Sequence, residues 1–245
     1  VFLDDNPAER MQVRCELPEV AVPELPNDPA LYIPTIIAAG YFEAINFSEE
    51  DRKRSTFYQD NASRAKILSH SSNINTYLKS LDMKISFKSF DTKGRARIVQ
   101  LINKSNQFNL TTKRYNNFDV KKFEYDQNFF TRQIRLQDTF GDNGMISVII
   151  CKKYKTVWEI DTWLMSCRVL GRKVELASLQ DIIKNAIACG IKKLIGSYVP
   201  TTRNNIVKEH YKKLGFTKIE SKTEIDTWEL DINNFKFQEL PLRLK

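Results

Sequence analysis

The chain predicts an α/β (α+β) fold built on a mixed, mostly antiparallel central sheet. Three observations predict it. Residues 158–216 read as strand, basic turn, helix, strand, helix, with each boundary chemically marked. Residues 131–170 read as three strands of a meander. Met83 to Phe90 alternates apolar and polar residues, the pattern of a half-buried strand.

The first stretch organises the rest. Trp158 to Leu170 is apolar and β-prone, with Ile160, Thr162, Leu164 and Ser166 expected on one face and Trp163 and Met165 on the other. The turn Arg168 to Lys173 leads into a helix whose Leu176, Leu179, Ile183 and Ala186 recur at spacings of three and four. Those four share one buried stripe. Gly190 suits the position after that helix, Ile191 to Val199 forms the next strand, and Pro200 stops it. A second helix starts near Asn204, a good cap, and sets Val207, Tyr211 and Leu214 on one face. Gly215 closes it before a strand from Phe216.

A strand that delivers a basic, glycine-containing turn to a helix N-terminus suits a phosphate. The first helical amides have no internal partners, and the macrodipole favours an anion there. Gly171 lets the backbone come close, while Arg168, Arg172 and Lys173 supply charge. An ordinary βα turn with solvated basic residues has the same sequence.

The remaining elements follow in order. Val1 to Arg10 places Asp4 and Asp5 just past a short apolar strand, where paired carboxylates suit magnesium. Asp4, Asp5 and Asn6 equally suit a helix cap. A helix is expected over Met11 to Leu17, a short strand over Glu19 to Pro23 and an apolar helix over Ala30 to Phe42. Ser48 to Asp51 reads as an acidic helix start, opening a helical connection whose end, Asn73 to Leu81, docks on the following domain. Arg95 to Asn103 is a helix with Ile98, Leu101 and Ile102 inward. Residues 103–111 form a polar loop suited either to lining a substrate cleft or to structural hydrogen bonding. Thr131 to Asp138 and Met145 to Lys153 form a hairpin around Phe140 to Gly144, and residues 223–230 form a last strand before a basic tail.

Composition sets limits. At 245 residues the chain can bury a sizeable core and hold more than one unit. No apolar run approaches a membrane span, and no signal peptide is visible. The chain opens without Met, which reads as a fragment of a longer protein. Cys15, Cys151, Cys167 and Cys189 form no C-x-x-C pair and have two histidines for company, which argues against a zinc site or a disulfide framework. A cytoplasmic setting is expected. Residues 1–82 carry 8 Lys/Arg against 13 Asp/Glu, and residues 83–245 carry 30 against 17, a net of +13. The second part is therefore a docking surface for an anion: nucleic acid, coenzyme A phosphates or an acidic carrier protein. Nucleic acid is the least favoured, because no basic-aromatic platform accompanies the charge.

The turn Arg168, Gly171, Lys173, together with Asn204, Tyr211 and the closing Leu214, Gly215 and Phe216, resembles two motifs of the GNAT acyltransferases. Lys173 stands where that family has Gly or Ala. The stretch around Asp4 and Asp5 resembles the last motif of HAD-superfamily phosphatases, whose earlier motifs are absent. Residues 4–10 (DDNPAER), 17–32, 102–115, 140–144 (FGDNG) and 158–172 together resemble FkbH-type proteins, which join a HAD-like domain to a GNAT-like one.

That resemblance implies the C-terminal remnant of a HAD-like Rossmannoid domain over 1–47, a helical linker over 48–82 and a GNAT-like acyltransferase domain over 83–245. It implies a role in forming glyceryl–acyl carrier protein from 1,3-bisphosphoglycerate. It implies coenzyme A or carrier-protein phosphopantetheine as cofactor, with Mg2+ in the intact HAD domain. Its implied partners are an acyl carrier protein and the missing N-terminal HAD segment. Residue by residue, Asp4 and Asp5 match the magnesium-associated acids, and Arg168, Gly171, Arg172 and Lys173 the pyrophosphate turn. Asn204 matches the pantetheine-side Asn, and Tyr211 the phenol that protonates a leaving thiolate. Tyr211 is alternatively a core aromatic. Cys167, beside Arg168, can carry an acyl group as a thioester or serve as a small buried hydrophobe. Asp161 is a candidate base or a structural ion-pair partner. The second functional class is a non-catalytic docking module that presents the carrier protein to the HAD site.

Overall fold

The computed structural model describes residues 1–42, 52, 54–71, 73–222 and 224–245. Among the described residues, α1 (Pro7–Glu16), α2 (Tyr32–Ala38), α3 (Arg54–His70) and α4 (Ile74–Ser80) precede the strand β1 (Met83–Lys88). Then come α5 (Arg95–Lys104), α6 (Asn117–Tyr125), β2 (Phe129–Asp138), β3 (Gly141–Lys153) and β4 (Val157–Met165). They are followed by α7 (Val174–Ala188), β5 (Lys193–Tyr198), the single turn α8 (His210–Lys213), β6 (Thr217–Lys222), β7 (Ile225–Asp231) and β8 (Leu242–Leu244). The chain divides into two compact units, Val1–Ser55 and Thr56–Lys245.

In the first unit Pro7 occupies the opening of α1, and the Asn6 side chain accepts from the Ala8 amide. The strands expected at Val1 to Leu3 and Glu19 to Pro23 do not form a ladder. A single bond, Phe2 N–H to Ala21 O at 2.9 Å, joins them, too little to hold a two-stranded ribbon. The helix expected over Ala30 to Phe42 is a 3-10 turn at Pro29–Leu31 followed by α2, with Gly40 beyond it at a φ of 64°. The acidic helix start at 48–51 lies outside the described residues.

The second unit carries one eight-stranded sheet in the order β6-β7-β5-β4-β3-β2-β1-β8. Only the β4–β5 and β1–β8 pairs are parallel, so the mixed, mostly antiparallel sheet expected from the sequence is present. α5 and α6 pack Ile98, Leu101, Ile102 and Val120 against Met145, Val148, Ile150 and Leu164 on one face. On the other face, α4 and α7 bury Tyr77, Leu78, Leu179, Ile182 and Ile183 against Ile149, Trp158, Ile160 and Trp163. The sequence reading did not assign α6, although Asn116 and Asp119 cap it reciprocally, nor β8, which it took as tail. Strand β8 adds to the edge through main-chain bonds, for which three residues carry little pattern.

A bulge in β4 changes the expected faces. Ile150 pairs with Thr162 and Cys151 with Ile160, so Asp161 is an extra residue. An extra residue shifts every later side chain to the other face. Trp158 and Ile160 therefore share a core with Trp163 and Met165, while Leu164 faces α5.

Candidate functional site

The bulge also marks where β4 and β5 part. Their parallel ladder runs from Val157↔Lys193 to Ile160↔Gly196 and stops. Beyond it β4 continues to Met165 with its β5-side edge unpaired by β5. An unpaired strand edge attracts any extended chain with amides to offer. Here the chain supplies its own. Leu110 N–H donates to Trp163 O at 3.1 Å, Met165 N–H to Phe108 O at 3.0 Å, and Val199 N–H to Leu110 O at 2.8 Å. Asn109 bridges Leu164 in the antiparallel sense.

Residues 108–111 thus form a short antiparallel insert between β4 and the end of β5, and all four are buried. Thr111 Oγ1 donates to Asp161 O at 2.8 Å, and Asn109 Oδ1 accepts from Thr112 N–H at 2.9 Å. Of the two roles this polar loop suited, lining a cleft or structural hydrogen bonding, its buried part takes the second and fills the gap. Its signal was available in the β-prone Phe108, Leu110 and Thr111 set among polar residues.

Asn204 holds this insert. Its Nδ2 donates to Asn109 O and to Val199 O, both at 2.9 Å, while Oδ1 accepts from Thr201 N–H at 2.7 Å and from Tyr198 Oη at 3.3 Å. It makes no helix cap. The helix expected from Asn204 through Tyr211 is a 3-10 turn at Asn205–Val207 followed by α8, so the two do not share one helix face.

Tyr211 is buried. Its ring packs on Gly196 of β5, where an added Cβ would lie 2.3 Å from Cε1, and stacks at a tilt on Phe216. Oη has no hydrogen-bond partner, and burial pushes the phenol far up, opposed only by the facing Ser197 amide. His210 Nε2 and Trp163 Nε1 are likewise buried without partners. The His210 ring meets Phe108 and Trp163 edge-on at 5.0 and 4.6 Å. Burial lowers its pKa to about 3, with Lys213 adding to the effect.

Of the basic turn, Arg172 is turned inward, while Gly171 and Lys173 are exposed. The Arg172 guanidinium is buried and donates to Asp138 Oδ2 at 3.0 Å and to Arg168 O at 2.9 Å. Asp138 also takes Arg64 at 2.7 and 3.0 Å and Asn143 at 3.0 Å, so α3 is bolted to the sheet through the same carboxylate. Arg168 Nε donates to Ser166 Oγ at 3.1 Å, and its guanidinium stacks over Phe57, 4.1 Å from the centroid. Gly171 is required by its φ of 74° rather than by crowding, since nothing lies within 4 Å of an added Cβ. Lys173 precedes α7 in the left-handed region at a φ of 63°. Glu175, in the first turn of α7, turns its carboxyl back on the turn. Burial pushes its pKa up, while the Glu175 and Gly171 amides that face it pull it down.

Asp161 is an ion-pair hub. It is buried and takes Lys113 Nζ at 2.7 Å, Lys152 Nζ at 3.0 Å and Tyr115 Oη at 2.7 Å. Burial raises its pKa, but Lys113, Tyr115 and Lys152 outweigh that and leave it lowered. An ionised carboxylate with its lone pairs so engaged anchors residues 111–115 to β4 and is not free to take a proton. Cys167 differs from both. It is exposed, in a 3-10 turn (Cys167–Val169) directly beyond the free end of β4.

In the first unit, Asp4 Oδ1 accepts from Asn6 N–H at 2.8 Å, and Arg10 Nη1 donates to Asp4 O and Asp5 O at 2.8 and 3.0 Å. No group of three or more His, Cys, Asp or Glu able to hold a metal occurs among the described residues. Among the described residues, no helix is long and apolar enough to cross a membrane.

No family model and no curated protein matches the chain. Solved structures with a similar trace include the GNAT domain of S. lividans PAT, at 16% identity and TM-score 0.48, covering 59% of this chain and 89% of that one. The ribosomal-protein-S18-alanine N-acetyltransferase from Escherichia coli is 12% identical at TM-score 0.47, with coverages of 62% and 99%. The structure of yncA from Salmonella typhimurium with its cofactor acetyl-CoA is 12% identical at TM-score 0.45, with coverages of 63% and 98%. The likeness reaches no further than the fold.

Proposed function

We propose that the chain moves a small acyl group from an acyl phosphate onto a phosphopantetheine thiol as part of an FkbH-type protein, with Cys167 as the acyl-bearing nucleophile. One observation carries this reading. Of the three side chains the sequence offers for catalysis, Tyr211 and Asp161 are buried and engaged in the fold, while Cys167 is exposed. Its exposed position in the turn after β4 lets a partner reach the thiol without entering the sheet.

The chemistry is two nucleophilic displacements. The Cys167 thiolate attacks the carbonyl carbon of an acyl phosphate such as 1,3-bisphosphoglycerate. A C–S bond forms, the C–O bond to phosphate breaks, and phosphate leaves with the electron pair. A phosphopantetheine thiolate of a carrier protein then attacks the thioester carbonyl, and the Cys167 thiolate departs. The net charge of +13 over residues 83–245 suits an acidic carrier protein. Glyceryl as the acyl group, and magnesium at Asp4 and Asp5 in the intact HAD domain, rest on the sequence resemblance.

The filled gap between β4 and β5 favours a second reading, a docking module that presents the carrier to the upstream HAD site. Peptide mass mapping after incubation with a glyceryl–carrier thioester separates them. An acyl adduct on the Cys167 peptide, absent in Cys167→Ala and retained in Cys189→Ala, is the expected result. If full-length protein carrying Cys167→Ala turns over normally and no adduct forms, docking is the correct reading.

A further inference from the structure

A thiol-terminated arm with amides along it, such as the pantetheine of coenzyme A, can lie in a sheet only as a strand lies, by pairing with an open edge. In this chain the candidate edge is the stretch of β4 beyond Ile160, where the ladder to β5 ends. The groups such an arm would need are Trp163 O, Met165 N–H and, across the gap, Val199 N–H. All three are already bonded to residues 108–110.

The insert is no loose flap. Phe108 and Leu110 belong to the main core, and Leu110 is fully buried. Lifting it out would expose both side chains, take Asn109 O from Asn204 Nδ2 and take Asp161 O from Thr111 Oγ1. On a face of the sheet the Tyr211 ring is seated on Gly196, at the last rung of the β4–β5 ladder. The turn that would meet a pyrophosphate has committed Arg172 to Asp138.

We infer that the segment Phe108–Thr111 is a permanent internal strand that takes the place of a bound arm, fastened by Asn204, so that coenzyme A and its thioesters have no seat in this sheet. The inference stands apart from the chemistry of Cys167. A failed acyl adduct would leave it untouched, and a successful one at the exposed turn does not require the gap to open.

Hydrogen exchange on the whole chain, with and without coenzyme A or acetyl-coenzyme A, tests it. The amides of Leu110, Met165 and Val199 are expected to exchange only with global unfolding, as core strands do. Thermal melting is expected not to move at about 1 mM of either cofactor, since a ligand stabilises only the state that binds it. Asn204→Ala is expected to speed exchange at Leu110 and Val199 about tenfold or more, as the loss of its bonds to Asn109 O, Val199 O, Thr201 N–H and Tyr198 Oη implies. Should that variant fail to fold, Thr111→Val, which deletes one bond to the insert, serves instead. A saturable rise in melting temperature with either cofactor, accompanied by faster exchange at Leu110 and Val199, would overturn the inference. So would free exchange of those amides in the unliganded protein.

Discussion

The ring of Tyr211 rests on Gly196, so close that a single added methyl at that glycine would fall 2.3 Å from two of its carbons. This contact lies at the last rung of the β4–β5 ladder, where Ile160 pairs with Gly196, just before the gap that residues 108–111 fill. It also defines what Tyr211 is for: its body packs the core, and its hydroxyl has no partner.

Tyr211→Phe should therefore leave acyl transfer unchanged and stability equal or higher by up to about 1 kcal/mol, because a buried hydroxyl without a partner costs free energy. Gly196→Ala should lose about 3 kcal/mol, since the ring has nowhere to retreat in a packed core. Thermal melting of both variants checks the pair. A large activity loss in Tyr211→Phe with normal folding would return the phenol to catalysis.

Asp138 holds two buried guanidinium groups, Arg64 and Arg172. Its carboxyl is kept ionised: burial raises its pKa, but Arg64 and Asn143 outweigh that and leave it lowered. Replacing it with Ala strands both cations and should cost about 3–5 kcal/mol in urea unfolding. Loss of α3 from the fold should accompany it, seen as rapid proteolysis around residue 64. A stable, protease-resistant Asp138→Ala would contradict this role.

His210 makes stability pH-dependent in a defined window. Its folded pKa, about 3, lies below its ordinary value of 6.5. The unfolded chain therefore takes up the proton first, so the contribution is complete above pH 6.5 and is lost as pH falls. The slope is about 1.4 kcal/mol per pH unit. The groups around the ring are Phe108, Trp163 and Tyr211, with Lys213 adding repulsion of the charged form. Asp138 and Asp161, with an ordinary value of 3.8, act at lower pH. The melting-temperature limb from pH 6.5 to about 4.5 carries His210 against Glu175, whose pKa burial raises and which therefore acts with the opposite sign. His210→Phe should flatten that limb; an unchanged slope would assign it elsewhere.

The cysteines should separate by exposure under native alkylation. Cys15, Cys167 and Cys189 are exposed, whereas Cys151 is buried in β3 and its thiol is pushed up by burial. Iodoacetamide should label the first three in the folded protein and Cys151 only after denaturation. Labelling of Cys151 at native rates would mean that the β3–β4 core opens.

Local pattern gave the hairpin of β2 and β3, the stripe of α7 and the glycine after it, because each is written in spacing or turn chemistry within a few residues. The basic turn could be located the same way, and so could Cys167 and Asn204 as polar residues at element ends. Their roles could not. Whether Arg172 faces an anion or Asp138 depends on a carboxylate 34 positions away, and Asn204 finds its partner 95 positions away.

What the sequence by itself determined is the succession β1, α5, β2, β3, β4, α7, β5 and the mixed sheet, since periodicity and punctuation are local and survive without the rest of the chain. Only the tertiary structure decided that the sheet's gap is closed. A one-residue bulge at Asp161 ends the ladder to β5, and the edge it frees is satisfied by whichever backbone lies nearest. That backbone is residues 108–111, brought there by long-range packing that no window of sequence contains.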